Sequence, residues 1–246
     1  MTTVDFENGE VWIVDKPYEW TSADVVNKLK YYIGKKTGNK KFKIGHAGTL
    51  DPLATGILLV CIGKKTKEID QIQAQKKEYT GIITLGSTTA SYDLETPIEQ
   101  EFDISQITDE KILAAAKSLE GEQLQYAPLY SAKKIDGERA YKLARNGVMK
   151  EIKPHAITIY AFEITKIEMP HVYFRVECSR GTYIRTLAND LGKKMEIGSH
   201  LRELRRTKNG EFQIENGRSL QSILENLRLD DQPIVLKPSR KYRRTE

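Results

Sequence analysis

The stretch Gly45–Gly63, GHAGTLDPLATGILLVCIG, constrains the fold more than any other part of the chain. Its second half is a short apolar run, ILLVCI, closed at both ends by Gly56 and Gly63. Such a run reads as a strand buried on both faces, so it requires a sheet covered on both sides. The first half is polar and glycine-rich. Gly45, Gly48 and Gly56 permit conformations or close approaches that a side chain would obstruct, and Pro52 restrains Asp51 to extended backbone. A carboxylate therefore sits on a glycine-built loop that feeds directly into a rigid strand. Asp before Pro is also common in plain turns. On local physics alone, a turn residue and a catalytic carboxylate are equally good accounts of Asp51.

With 246 residues, 39% of them apolar and 30% charged, the chain has the composition of one large globular domain with a core of its own. The N-terminus opens acidic, MTTVDFENGE, unlike a cleavable signal, and no run approaches a membrane span. A cytoplasmic protein with no membrane partner is expected. Cys61 and Cys178 lie among apolar residues without metal or redox spacing and read as buried free thiols. The net charge of +5 is unevenly placed. Between Asp24 and Asp51 there is no acidic residue but seven lysines, and the end KPSRKYRRTE holds five cations against one Glu. These blocks fit either a polyanionic partner, nucleic acid foremost, or a solvated surface.

EVWIVDKP predicts a strand stopped by Pro17, and TSADVVNKLKYYIG a helix with Ser22 as N-cap and Gly34 as C-cap. ILLVCIG, EYTGIITLG, AITIYAFEITKIEM and VYFRVECS predict further strands; SQITDEKILAAAKSLEG, TYIRTLANDLGKKM and SHLRELRR predict helices. Strands and helices mix without regular alternation, which predicts the α+β class with a mixed, largely antiparallel sheet flanked by helices and loops. GEQLQYAPLYSAKKIDGERAYKLARNG, within about residues 121–150, reads as a long surface excursion ending in a helix around RAYKLARNG. Its Tyr126, Tyr130 and Tyr141, interleaved with cations such as Lys134, suit stacking on bases and pairing with phosphates.

Metal chemistry is a weak rival. His46 and Asp51 could supply two ligands, but His155, His171 and His200 are scattered, and no phosphate-binding GxxxxGK[ST] loop is present. In CSRGTYIRTLANDLG, Arg185 falls near the start of a helix, where the helix dipole favours anions. It is either a surface side chain or one held for a carboxylate or phosphate.

GHAGTLDPLATGILLVCIGKKTK resembles the signature block of the bacterial tRNA pseudouridine-55 synthases, the TruB family. The likeness continues, in family order, in VDKP (14–17), KEYTGIITLG (77–86), PLYSAKKIDGERAYKLAR (128–145), CSRGTYIRTLANDLG (178–192) and GSHLRELRRTKNGEF (198–212). The resemblance implies the pseudouridine synthase fold, with Asp51 as the catalytic aspartate, Tyr79 stacked on the flipped base, Arg185 paired with the aspartate and Leu204 as an apolar wall. It implies that His46 enters the T-loop when the uridine leaves it. Lys16 matches a basic residue of the DKP block, where a structural role is the alternative. Tyr183, Lys134 and Tyr141, in matching blocks, join His46, Leu204 and Lys16 as substrate-binding candidates. No cofactor and no metal is implied, because the reaction has no net redox change. The implied partner is the T-arm of tRNA, met by a monomer without a guide RNA.

The chain departs from the family pattern at Thr96, where a glycine is usual, and at Ala127, where a second proline is frequent. Both lie in loops and bear on RNA contacts more than on catalysis. The expected organisation is a catalytic domain over 1–215 and a short helix with a basic tail over 216–246, without the full PUA module of many relatives. Noncatalytic tRNA chaperoning is the alternative function. A hydrolytic glycosidase would normally need a second catalytic carboxylate.

Overall fold

The computed structural model describes residues 4–130, 134–135, 138–139, 153–229 and 233–237. The expected helix around RAYKLARNG, Tyr141, the side chain of Lys134 and the tail from residue 238 lie outside these residues. The chain forms two compact units, Met1–Lys77 with Arg205–Glu246, and Glu78–Leu204. In chain order the elements are β1 (Glu10–Lys16), α1 (Ser22–Thr37), β2 (Ile44–Ala47), β3 (Ala54–Ile62) and α2 (Ile69–Ala74). Then come β4 (Lys77–Leu85), β5 (Ser87–Thr89), β6 (Ile98–Glu101), α3 (Asp109–Lys117), β7 (Gly121–Gln125), β8 (Lys134–Ile135) and β9 (Glu138–Arg139). The last are β10 (His155–Glu168), β11 (His171–Cys178), α4 (Ile184–Lys194), β12 (Ser199–Asn209), β13 (Phe212–Gln213), β14 (Arg218–Ser219) and α5 (Leu220–Leu227).

The first unit is built on β3. β1 runs antiparallel to it from Glu10↔Ile62 to Lys16↔Gly56, and β2 covers the second half of its other edge from Ile44↔Ile62 to Ala47↔Leu59. Side chains alternate along it. Leu58, Val60 and Ile62 face Val25, Leu29 and Ile33 of α1 and Ile223, Leu224 and Leu227 of α5, while Ile57, Leu59 and Cys61 pack with Ala47 and with Ile72 of α2. The double burial expected of this run is therefore present. Each of its large aliphatic side chains contributes about 1.5–3 kcal/mol by leaving water.

Helix α1 starts and stops differently from expectation. Thr21 is the N-cap and forms a capping box with Asp24, and Gly38 ends the helix in the left-handed conformation. Gly34 stays inside the helix, buried, and a Cβ there would make only ordinary contact, 3.4 Å from the Asn39 carbonyl. Ser22, displaced from the capping role, bonds the loop that carries Asp51.

In the second unit the strand order is β12-β4-β11-β10-β7, with β10 antiparallel to both β11 and β7. α3 buries Ile112, Ala115 and Ala116, and α4 is buried over most of its length. Two expectations are corrected. SHLRELRR is strand β12, not a helix. Its Leu, Arg and Glu content favours helix, but pairing on both edges outweighs a propensity worth only tenths of a kcal/mol per residue. GEQLQ, expected as the start of a surface loop, is strand β7 paired from His155↔Gln125 to Ile159↔Gly121. Cys61 and Cys178 are buried free thiols. Among the described residues no helix is long and apolar enough to cross a membrane.

Candidate active site

Asp51 lies in the loop between β2 and β3, and four devices fix that loop. Its own carbonyl accepts from the Ala54 amide at 3.1 Å, closing a turn with Pro52 at the first central position. Ser22 Oγ donates to the Leu50 carbonyl at 3.1 Å and accepts from the Leu50 amide at 2.9 Å. Leu50 is buried, so Ser22→Ala leaves two buried backbone groups unpaired. We expect that variant to lose about 2 kcal/mol of stability, read from the shift of the urea midpoint.

The other two devices are buried cations. Arg206 donates from Nε to the Ile57 carbonyl at 2.8 Å and from Nη2 to the Gly48 carbonyl at 3.0 Å, so it grips the loop on both sides of Asp51. Lys16, fully buried, donates to the carbonyls of Trp20 at 2.6 Å, Pro17 at 2.9 Å and Pro52 at 3.2 Å. It thus holds the residue that follows Asp51, a contact that supports the structural alternative for Lys16. Burial pushes its pKa down to about 7, against the opposing charge of Asp51.

That shift has a pH consequence. Between pH 7 and the usual lysine value, the unfolded chain keeps a proton that the folded chain releases. Stability is then expected to rise with pH across that window, and below it the full cost of the buried ammonium stands. Urea midpoints from pH 6.5 to 9.5 should show this rise in the wild type and not in Lys16→Met.

His46, on β2 opposite Val60, is half-buried. Burial, and then the Arg206 charge, lower its pKa, so its ring is neutral near pH 7. Its Nδ1 has no hydrogen-bond partner among the described residues. Lys16, His46 and Asp51 therefore belong to one loop-and-strand assembly in the first unit.

The second unit carries the remaining described candidates. Tyr79 is buried on β4, and Leu204 is half-buried on β12. Tyr183 caps α4: its amide donates to Gln125 Oε1 at 2.8 Å, and Gln125 Nε2 donates to its carbonyl at 3.1 Å. Arg185, in the first turn of α4, is buried; its Nη1 donates to the Ser91 carbonyl at 3.1 Å and its Nε lies 3.6 Å from Asp93 Oδ2.

Asp93, the carboxylate beside Arg185, is a residue that reading the chain for chemistry passes over. Its carboxylate is held by the Ser91 hydroxyl at 2.6 Å and the Glu95 amide at 2.9 Å. Thr96 closes the same loop, its Oγ1 2.9 Å from Ser91 Oγ and accepting from the Ser91 amide at 3.0 Å. The threonine in place of the usual glycine therefore has a structural use. The available signal was the polar cluster SYDLET, whose Ser and Asp are typical of side-chain-closed turns. No group of three or more His, Cys, Asp or Glu suited to a metal occurs among the described residues.

Comparison with known proteins follows the same lines. Residues 35–184 match the family model described as TruB family pseudouridylate synthase, N-terminal domain, and residues 185–236 match the tRNA pseudouridylate synthase B C-terminal domain. The tRNA pseudouridine synthase B of Flavobacterium johnsoniae is 51% identical over 228 residues, covering 92% of this chain and all of the relative. That of Phocaeicola vulgatus is 45% identical, covering 90% of this chain and 94% of its own. Among solved structures, a Cbf5-Nop10-Gar1 complex is similar with a TM-score of 0.65 at 30% identity. An H/ACA RNP bound to a substrate RNA containing 2′-deoxyuridine is similar with a TM-score of 0.64 at 28% identity. This chain covers 54% and 53% of those chains, about half their length. With more than half its length matched by one family and a relative above half identity along nearly the whole chain, the protein belongs to the TruB family of pseudouridylate synthases.

Proposed function

We propose that this enzyme isomerises the uridine at position 55, in the T-loop of tRNA, and that Asp51 is the group on which the reaction depends. The carrying observation is the loop Gly48–Ala54: a buried serine, a buried lysine and a buried arginine all bond its backbone, so the position from which the Asp51 carboxylate acts is fixed by the fold. A loop held this firmly pre-organises the side chain it carries for chemistry. The relatives' name, tRNA pseudouridine synthase B, supports tRNA as the substrate.

In the reaction the N1–C1′ bond breaks, the uracil turns, and C5 bonds to C1′. C5 gives up its proton and N1 gains one, so atoms and electrons balance without an external reactant. Addition of Asp51 to C1′, addition to the base, or assistance of a glycal route all require an ionised carboxylate. Arg185 is the cation assigned to favour that form. The base must leave its stack to be reached; Tyr79 offers a ring to receive it, and its hydroxyl is placed in role to take the C5 proton. Leu204 keeps water from the detached uracil, which would otherwise be lost by hydrolysis. His46, with a free Nδ1 and a neutral ring, enters the space the uridine leaves. Lys134 and Tyr141 contact the RNA backbone and bases, and the enzyme acts as a monomer without a guide RNA.

The test is to incubate the protein alone with unmodified tRNA transcript and map pseudouridine chemically. Product at position 55 and nowhere else supports the reading. Binding without product would reduce the protein to a chaperone, and free uracil would make it a glycosidase.

A further inference from the structure

The fold gives the lysine-rich segment a location that its sequence position conceals. The N-terminal end of α1 touches the Asp51 loop through Ser22 and Leu50. Lys35, 13 residues further along the helix, is then about 20 Å away at 1.5 Å per residue. Strand β3 gives a second ruler. It leaves the Asp51 turn at Ala54 and ends at Ile62, about 26 Å on, where the Gly63 amide bonds the Lys43 carbonyl at 2.9 Å. The helix end, the loop before β2 and the turn after β3 therefore meet at the end of the first unit remote from Asp51.

That end is basic. Lys40, Lys41, Lys43, Lys64 and Lys67 are all exposed there, and none has an ion pair among the described residues. Three nearby carboxylates have other partners: Asp5 caps the Glu7 and Asn8 amides while also feeling the Lys64 charge, Glu10 accepts from Trp12 and the Asp5 amide, and Glu68 pairs with Lys65 at 2.7 Å. Tyr31 stands out on the same helix end, 55% exposed, with Lys35 Nζ 4.8 Å from its ring centre.

Its chemistry distinguishes possible partners. A membrane-surface helix turns bulky aliphatic side chains outward beneath its cations. Here the apolar face, Val25, Leu29 and Ile33, is buried in the core, and the outward face offers lysines and one ring. Cations interleaved with an exposed aromatic fit phosphates and a base or ribose face.

Resting on the tRNA reading above, we propose that this remote basic end is a second RNA-docking surface, which grips tRNA phosphates outside the target loop. A separation of 20 Å corresponds to roughly six nucleotide steps along a duplex, so the phosphates beside the target uridine cannot serve both ends. The surface adds affinity and leaves the chemistry at Asp51 unchanged.

The experiment compares the wild-type protein with the triple variant Lys40→Gln, Lys41→Gln, Lys43→Gln, and with Lys111→Gln, Lys117→Gln on the exposed side of α3 as a control for lost charge. Affinity is measured across a salt series for full tRNA and for a T-loop hairpin cut to a few base pairs. The triple variant should bind full tRNA roughly tenfold more weakly, with a log–log salt slope shallower by about two to three. Its hairpin affinity and its turnover at saturating tRNA should match the wild type. An unchanged salt slope on full tRNA overturns the proposal, whatever other polyanion the lysines serve. Equal losses on hairpin and tRNA, or in the control, overturn it as well. Absence of pseudouridine from the wild type would instead defeat the catalytic reading, and the binding comparison would still stand.

Discussion

Gly56→Ala should unfold this protein or leave it severely weakened. Gly56 has φ +97 in β3, and a Cβ there would lie 2.2 Å from the Arg206 carbonyl oxygen and 2.7 Å from its amide nitrogen. The left-handed conformation alone costs an alanine about 1–3 kcal/mol. The overlap adds more, because both obstructing atoms are backbone. They belong to the residue whose guanidinium holds Gly48 and Ile57, so any shift that relieves the clash loosens the Asp51 loop. A total of about 4 kcal/mol corresponds to a fall in Tm of roughly 10 °C for a chain of this size. Gly38→Ala is the matched control: its φ is +72, but nothing lies within 4 Å of the added carbon. That variant should lose about 1 kcal/mol. Equal losses in the two thermal melts would show that backbone conformation, and not the approach of β12, makes Gly56 necessary.

The contrast shows which parts of the structure the sequence exposed. β3 was legible because an apolar run between glycines has few alternatives, and its two-sided burial followed. The helices over SQITDEKILAAAKSLEG and TYIRTLANDLGKKM were legible from local pattern and stop signals. SHLRELRR was not, because its local preference is helical and strand pairing with distant segments decided otherwise. Gly34 looked like a helix stop for a similar reason. The helix runs on through it to Gly38, whose left-handed conformation ends it.

Within the site, Asp51 showed itself by its glycine-built loop, although local physics could not separate turn from catalyst. The family likeness supplied Tyr79 and Leu204, residues that carry no local mark of function, and gave Arg185, a cation at a helix start that local pattern left ambiguous, its role. What both readings left out are the supports. Arg206 reads as one of many cations in LRELRR, and its burial against two carbonyls depends on the path of β12. Ser22 looked like a cap and is a clasp on Leu50. For Lys16 a structural role stood beside that of an RNA contact, but nothing in the sequence showed that three carbonyls would engage its ammonium. Supports of this kind act across long sequence separations, where periodicity and spacing carry no signal.

Asp51→Asn is the second large effect. The substitution keeps size and shape, and the turn at this position is closed by backbone atoms, so the fold should persist, with a urea midpoint at pH 7 somewhat below the wild type because buried Lys16 loses an opposing charge. On the proposed role of Asp51, loss of its carboxylate should lower the rate by about 10⁴-fold or more, as when a reaction's central group is removed. tRNA binding should persist, since the RNA-contacting residues are untouched.

The most direct measurement follows the C5 proton. With tRNA carrying tritium at C5 of uridine, isomerisation must release the label from position 55 to water, because C5 exchanges that bond for one to C1′. Hydrolysis would leave the label on free uracil. The account predicts release of one equivalent per tRNA by the wild type, with pseudouridine at position 55, and none above background by Asp51→Asn under conditions where both proteins bind. Release by Asp51→Asn at the wild-type rate, or labelled uracil in place of released tritium, would contradict it.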